Sequence, residues 1–448
     1  MNKRVAFILY LYPLGVSTMI VNSIKMFADS GIDVDIYINK SNWSSKPVEF
    51  KQKNVRFMVY DDTLSLRGRI FYKIYVRTNK YILFILRMLL KRNGAKQSRV
   101  PSGLIFLNYP YDYLFSRWLS RFIGAGYDYI FPVEARSLIA VSGVEGNIIY
   151  YSMELLDWSE KNPIYGKDKI LLKTLEYRAL QKVTAATLQN EQRAEQFRAI
   201  NDFTRKIFIL PVASMGEPPQ EKASFFRDKF SLTENVCIVV YAGNIMAWAK
   251  CIEMVKSVRN WPPNYCLVLH TWRKNAFSNG YGSEVKECAK GLPVYFSEEY
   301  LDIEDLARSM SSADMALMFY DAIDANFIEI LFSSNKLGEY LKAGLPVITF
   351  DYPELRKFFQ QHGIGRTIST MDELPSALSQ IRDHYAEYKN NVMHCYQSVF
   401  RFEKYFNPLL AELYGEEAVG ARTSRASSSL EPHNAKDVRM RGRGRSHV

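Results

Sequence analysis

Residues 333–348 read Ser333-Ser334-Asn335-Lys336-Leu337-Gly338-Glu339-Tyr340-Leu341-Lys342-Ala343-Gly344-Leu345-Pro346-Val347-Ile348. A serine pair suited to capping precedes a helical run, Gly344 ends that run, and Pro346 to Phe350 resumes as a strand. A helix N-terminus with small hydroxyls, exposed amides and a lysine suits a phosphate. Lys336 supplies a point charge there. Glu339 lies three residues on, on nearly the same face, where its carboxylate can accept hydrogen bonds from vicinal ribose hydroxyls. An ordinary capped helix accounts for the same string on physics alone.

Around this segment the pattern is strand, helix, strand. Val236 to Tyr241, Tyr265 to His270, Val294 to Phe296 and Met315 to Phe319 read as strands, with helices over about 250–259 and 303–311. The first half does the same, with apolar runs at Val5 to Tyr10, Val34 to Ile38, Val55 to Tyr60, Tyr129 to Phe131 and Ile148 to Tyr151. Strands separated by helices imply parallel sheets covered on both faces. The expected organisation is a domain over 1–210, a linker over 211–235 and a second domain over 236–375. Helices over 376–415 come next, able to cross back to the first domain, and then a disordered basic tail over 416–448. Both domains are Rossmann-like, an α/β class, and face each other across a cleft.

The 448 residues are 48% hydrophobic and 23% charged, which fits globular domains and excludes wholesale disorder. Five cysteines show no metal-ligand spacing and read as reduced thiols. The opening apolar run is short, is followed by Pro13 and lacks a cleavage site, so a first strand explains it better than a leader. Tyr81 to Leu90 is too short and too charged to span a bilayer. A cytoplasmic protein is expected.

The net charge of +11 is concentrated. Between Asp62 and Asp112 there are ten basic residues and no acidic one. On a helix over about 64–93, Arg69, Lys73, Arg77, Lys80, Arg87 and Lys91 form a narrow stripe opposite Phe71, Tyr75, Ile82, Leu86 and Leu89. A solvated face normally mixes signs. The stripe therefore reads as a peripheral anchor on an anionic membrane, at the inner face of the cell membrane, against the plainer reading of a core-packed helix with a solvated face. No recognisable nucleic-acid motif accompanies it.

The 333–348 string resembles the C-terminal signature of retaining GT-B glycosyltransferases, in which a Lys-x-x-Glu-Tyr-Leu-x-x-Gly-x-Pro-Val-Ile run binds the nucleotide of a sugar donor. Tyr295-Phe296, Leu306 and Ser312-Ala313-Asp314-Met315-Ala316-Leu317 resemble the family's residues before that signature, and Glu354 and Gly363 those after it. Leu175-Glu176-Tyr177-Arg178 through Gln189-Asn190-Glu191 resembles the end of the family's first domain. The resemblance implies a GT-B fold and a nucleotide-sugar donor, UDP- or GDP-linked, held by Gly243, Asn244, Ser334, Asn335, Lys336 and Glu339. It also implies a glycan acceptor held by the first domain, with Gly15 on that side, no metal, and retention through a front-face mechanism.

The departures are specific. Many relatives carry another glutamate eight positions before the one in this helix, but counting back from Glu339 reaches Leu331; Glu329 lies two residues early, and a loop over 326–329 could substitute. The family's Gly-Arg…Lys loop resembles Gly243-Asn244…Lys250, with asparagine in place of arginine. Arg273, Lys274 or Lys336 would then neutralise the leaving group, and Lys250 would face phosphate. The first domain contains no histidine, since the first is His270. A base there would be a carboxylate: Glu134, Glu154 or Asp157. Glu154 resembles in position a cleft residue that is often His or Asp in relatives. Asp33-Val34-Asp35 mimics a metal-binding Asp-x-Asp, but it begins a strand beside a turn. Two other readings stay open: a nucleotide-sugar epimerase of the same fold, which would need a histidine- and acid-rich cleft, and a non-catalytic partner subunit.

Overall fold

The computed structural model describes residues 3–45, 48–63, 110–123, 126–159, 169–323, 325–420 and 422. The basic stripe over 64–93 lies outside them, as does the strand expected at 104–107. Among the described residues, no helix is long and apolar enough to cross a membrane.

The first sheet contains β1 (Arg4–Leu9), β2 (Asp33–Asn39), β3 (Val55–Tyr60) and β4 (Tyr129–Pro132), in the order β3-β2-β1-β4. A second group, β5 (Ile149–Tyr151), β6 (Ala185–Leu188) and β7 (Lys206–Ile209), adds in sequence order. Parallel bridges Ile130–Ile148 and Val133–Tyr151 join β4 to β5. The other domain has β8 (Cys237–Ala242), β9 (Tyr265–Thr271), β10 (Val294–Glu298), β11 (Met315–Met318), β12 (Val347–Phe350) and β13 (Gly365–Ile368). Their order is β10-β9-β8-β11-β12-β13, with every pair parallel. Both halves reverse direction beside their first strand, which opens a crevice at the C-terminal strand ends where α/β proteins bind ligands.

The apolar runs explain this arrangement. All residues of β1 after Arg4 are buried, as are all of β6 and β11. Strands covered on both faces need no polar alternation. Val55–Tyr60 has no fully buried residue and exposes Arg56 and Val59, as suits the edge of the sheet.

The 211–235 linker contains the helix Phe225–Phe230, Val212 N–H donates to the Phe332 carbonyl at 2.8 Å, and Ser214 bridges Arg401. The chain beyond 415 is not disordered from its start, because 416–420 are helical and buried Ala418 joins the main core. Asp35 is a structural clamp at the N-terminal half of β2. It accepts from Arg56 Nε at 2.7 Å, Arg4 Nε at 2.9 Å and the Tyr127 hydroxyl at 2.6 Å. Burial opposes its ionisation, yet these donors from Tyr127, Arg56 and Arg4 hold its carboxyl below the usual range.

The helix Glu403–Tyr414 lies on the first domain. Phe406 meets Phe27 edge-on at 4.9 Å between centroids, and Tyr129 donates to the Leu413 carbonyl at 3.2 Å. The C-terminal helix thus ties the end of the chain back to the first domain.

Candidate functional site

The helix Asn335–Lys342 starts where the sequence indicates. Ser334 Oγ accepts from Lys336 N–H at 3.2 Å, and Gly344 follows the last turn at φ 76°. Leu337, Tyr340 and Leu341 bury one face. The Tyr340 hydroxyl accepts from Ala242 N–H at 2.8 Å and so pins the end of β8. This fixes the helix N-terminus over Gly243.

Lys336 crosses that glycine. A Cβ at Gly243 would lie 2.6 Å from Lys336 Cε and 3.0 Å from its Nζ, so glycine lets the lysine end lie where it does and a side chain there would push it aside. The ammonium donates to the Tyr320 hydroxyl at 2.9 Å. It sits 4.5 Å from the ring centroid of Tyr320, 5.4 Å from Tyr241 and 5.8 Å from Trp248. Trp248 and Tyr320 stack with planes 6° apart. Among the described residues no carboxylate lies within ion-pair distance of Lys336. Aromatic faces stabilise a cation without neutralising it, so its full charge remains for an anion.

Glu339 lies one turn on, buried. Ser214 Oγ donates to its Oε1 at 2.6 Å, while Oε2 is buried without a hydrogen-bond partner among the described residues. Burial raises its pKa, opposed by the Lys342 charge and the Ser214 hydrogen bond. An orphaned carboxylate oxygen at a cleft wall asks for a donor, and a ribose hydroxyl is one.

These groups line a cleft of about 470 Å³ between the domains. Ser334, Asn335, Lys336, Glu339, Gly243 and Asn244 all reach it, as does Glu154 from the first domain. Asn335 Oδ1 also accepts from Thr18 Oγ1 at 2.8 Å, a direct tie across the domains. Gly15 is in the short turn Leu14–Val16 after β1, on the first-domain side, and is not among the cleft-lining residues.

Three expected placements differ. Lys250 does not line the cleft; its ammonium pairs with Asp321 at 2.9 Å, because the chain leaving β11 brings that carboxylate to it first. Glu329 does not substitute for the absent glutamate. Its Oε1 accepts from both Gln192 and Gln196 at 2.7 Å, which makes it a strut between the domains. Glu134 stands behind the cleft wall and holds the next loop in place: its Oε1 accepts from Met153 N–H at 2.7 Å and Glu154 N–H at 3.0 Å. Burial, then the neighbouring Glu154 charge, push its carboxyl up to about 8 against those two amide hydrogen bonds.

Arg193 is a cleft residue that sequence reasoning misses. It comes from the helix Glu191–Asn201, is 1% exposed, and donates to the Met153 carbonyl at 2.9 Å and Gln189 Oε1 at 3.2 Å. In sequence it is one arginine on a charged helix, with no local signal. Arg273 also reaches the cleft, beside Trp272. Among the described residues no group of three His, Cys, Asp or Glu is arranged to hold a metal.

Residues 268–410 match the family of glucosyltransferase 3-like C-terminal domains. No curated protein sequence matches the chain. Among solved structures, sucrose-phosphate synthase from Thermosynechococcus elongatus is similar at TM-score 0.62 and 14% identity, covering 96% of this chain and all of the other. WaaG, a glycosyltransferase involved in lipopolysaccharide biosynthesis, is similar at 0.56 and 14%, covering 92% and 100%. HepE from Anabaena, in complex with UDP and glucose, is similar at 0.56 and 11%, covering 96% and 100%. All three share the GT-B fold with this chain.

Proposed function

We propose that this GT-B glycosyltransferase, with its glucosyltransferase 3-like C-terminal domain, moves a sugar from a UDP- or GDP-linked donor to a glycan acceptor in the first domain. One observation carries the reading: an un-neutralised lysine threaded over Gly243 and an orphaned carboxylate oxygen one turn along the same helix. Lys336 faces the diphosphate and Glu339 the ribose. The glycosyl end of the donor then points toward Glu154.

Breaking the bond from the anomeric carbon to phosphate leaves the electron pair, and a growing negative charge, on the diphosphate. Asn244 cannot neutralise it. Lys336 does so from the second domain, and Arg193, buried in the facing wall, does so from the first. A charge held in a site that excludes water is worth more than one on the surface. The acceptor hydroxyl attacks on the face the leaving group vacates, and its proton passes to the departing phosphate oxygen. The new bond keeps the donor's configuration. Glu154 orients the acceptor hydroxyl from the exposed lip of the first domain.

Calorimetry with UDP and GDP tests the donor site. Binding of one of them in the micromolar range, about −8 kcal/mol, is expected; an absence of heat with either would leave only the reading as a non-catalytic partner. Product anomeric configuration, read by NMR, tests retention.

The acceptor reading rests on the basic stripe. A transferase held at an anionic surface meets a lipid-linked glycan in two dimensions. Reversing the charge of Arg69, Lys73 and Arg77 together should cut cosedimentation with anionic vesicles by about 10² or more, at roughly 1 kcal/mol per residue. Equal binding of both forms would remove the membrane from the reading.

A further inference from the structure

The sheet order β10-β9-β8-β11 divides the cleft. Tyr320 and Lys336 lie on the β11 side of Gly243, and the ends of β9 and β10 extend on the other. That second arm is walled by Leu301, Leu306 and Met310, with Trp272 and Arg273 following β9 at its edge. His270 belongs to it, at the end of β9, 4% exposed and lining the cleft. Its backbone carbonyl accepts from Gly243 N–H at 2.9 Å, so it sits directly beside the phosphate loop. A recess with apolar walls next to a diphosphate site takes a nucleobase, and its polar group reads the base edge.

We propose that His270 determines which nucleobase the donor carries, with Nε2 accepting a hydrogen bond from the ring N–H of uracil or guanine. This rests on the donor-site reading above. The tautomer is set by a chain of hydrogen bonds. The Lys229 ammonium pairs with the Glu299 carboxylate. Glu299 Oε1 accepts from the Ser297 hydroxyl at 3.4 Å. We assign the Ser297 hydrogen to Glu299, which leaves Ser297 Oγ, 2.9 Å from His270 Nδ1, to accept from Nδ1–H. A neutral imidazole protonated at Nδ1 presents a lone pair at Nε2. Burial, the first influence on this imidazole, pushes it down to about 4, against the Glu299 charge, so it carries one proton at neutral pH. Among the described residues nothing hydrogen-bonds Nε2.

Uracil and guanine place a ring N–H at the centre of the pairing edge. Cytosine and adenine place a ring nitrogen lone pair there, which meets the Nε2 lone pair head on. A site built to receive a hydrogen bond discriminates strongly, because a mismatch leaves buried polar atoms unsatisfied.

The experiment is calorimetry of UDP, GDP, CDP, ADP and inorganic pyrophosphate with the wild type, His270→Phe and His270→Gln. The wild type should bind UDP or GDP at least about tenfold more tightly than CDP and ADP. His270→Phe should shrink that preference to under about threefold while leaving pyrophosphate binding unchanged. His270→Gln, whose amide oxygen restores an acceptor with less disturbance of the core, should keep part of the preference. A wild type indifferent to the base, or a His270→Phe variant that keeps the preference, overturns the proposal. A wild type that binds none of the four nucleotides overturns the donor-site reading as well, which separates the two failures.

Discussion

Replacing Lys336 by Met is expected to lower kcat/KM for sugar transfer by about 10²–10³, roughly 3–4 kcal/mol, the usual loss when a donor to developing negative charge is removed. Methionine keeps an apolar stem over Gly243 and between the rings of Tyr320, Tyr241 and Trp248. The melting temperature should therefore move by no more than a few degrees, since only a cation–π contribution of about 1 kcal/mol is lost and a partly desolvated charge is removed with it. Gly243→Ala supplies the complementary test. Its Cβ would meet Lys336 Cε at 2.6 Å, and the flexible end of the lysine must swing away. The charge is then present but displaced, and a loss of about 10- to 100-fold is expected. Steady-state kinetics on both variants, with thermal melts alongside, decide the matter. A Lys336→Met enzyme within threefold of wild type would show that the diphosphate is held elsewhere.

Why the lysine is legible in the sequence and its surroundings are not is a matter of range. The Ser334 cap, Lys336, Glu339 and Gly344 are local: capping, helical spacing and a left-handed terminator act within about two turns, so the string alone places them. Strand β3 is legible to the residue for the same reason, from an apolar stretch bounded by polar segments. The ring stack of Trp248 on Tyr320 joins the loop after β8 to the end of β11. Arg193 reaches the cleft only because its helix packs between the domains. Lys250 misleads by the same logic, since its nearest charge, Asp321, is a neighbour in space and not in sequence. Glu329 has the right chemistry for the cleft but faces two glutamines of the first domain. The alternation of strands and helices carries the parallel sheets; side chains that converge from different loops leave no such trace.

The carboxyl of Glu134 should make this enzyme lose stability as pH rises, opposite to the behaviour of most carboxylates. Its residue holds φ 65°, left-handed, at the turn between β4 and the helix Glu134–Ala140. A non-glycine residue there costs about 1–2 kcal/mol and persists because the side chain is needed: its Oε1 holds the amides of both Met153 and Glu154. Burial and the Glu154 charge raise its pKa from 4.5 to about 8. Between those values the native chain keeps a proton that the unfolded chain has lost. Stability is therefore greatest below the unfolded value and declines as pH climbs toward the folded one, by on the order of 1.4 kcal/mol for each pH unit between the two. Glu134→Gln keeps an oxygen for both amides and cannot titrate. Its melting temperature should stay level between pH 5 and 8, where the wild type falls, so that the variant is the more stable form at pH 8. Activity separates positioning from catalysis. Because the native carboxyl is already protonated at neutral pH, Glu134→Gln should transfer sugar at near the wild-type rate there. Glu134→Ala, which releases the loop bearing Glu154, should fall by about 10²-fold in kcat, the scale of loss when a reacting group is misplaced by an ångström. An inactive glutamine variant would instead make Glu134 a carboxylate that the chemistry itself uses.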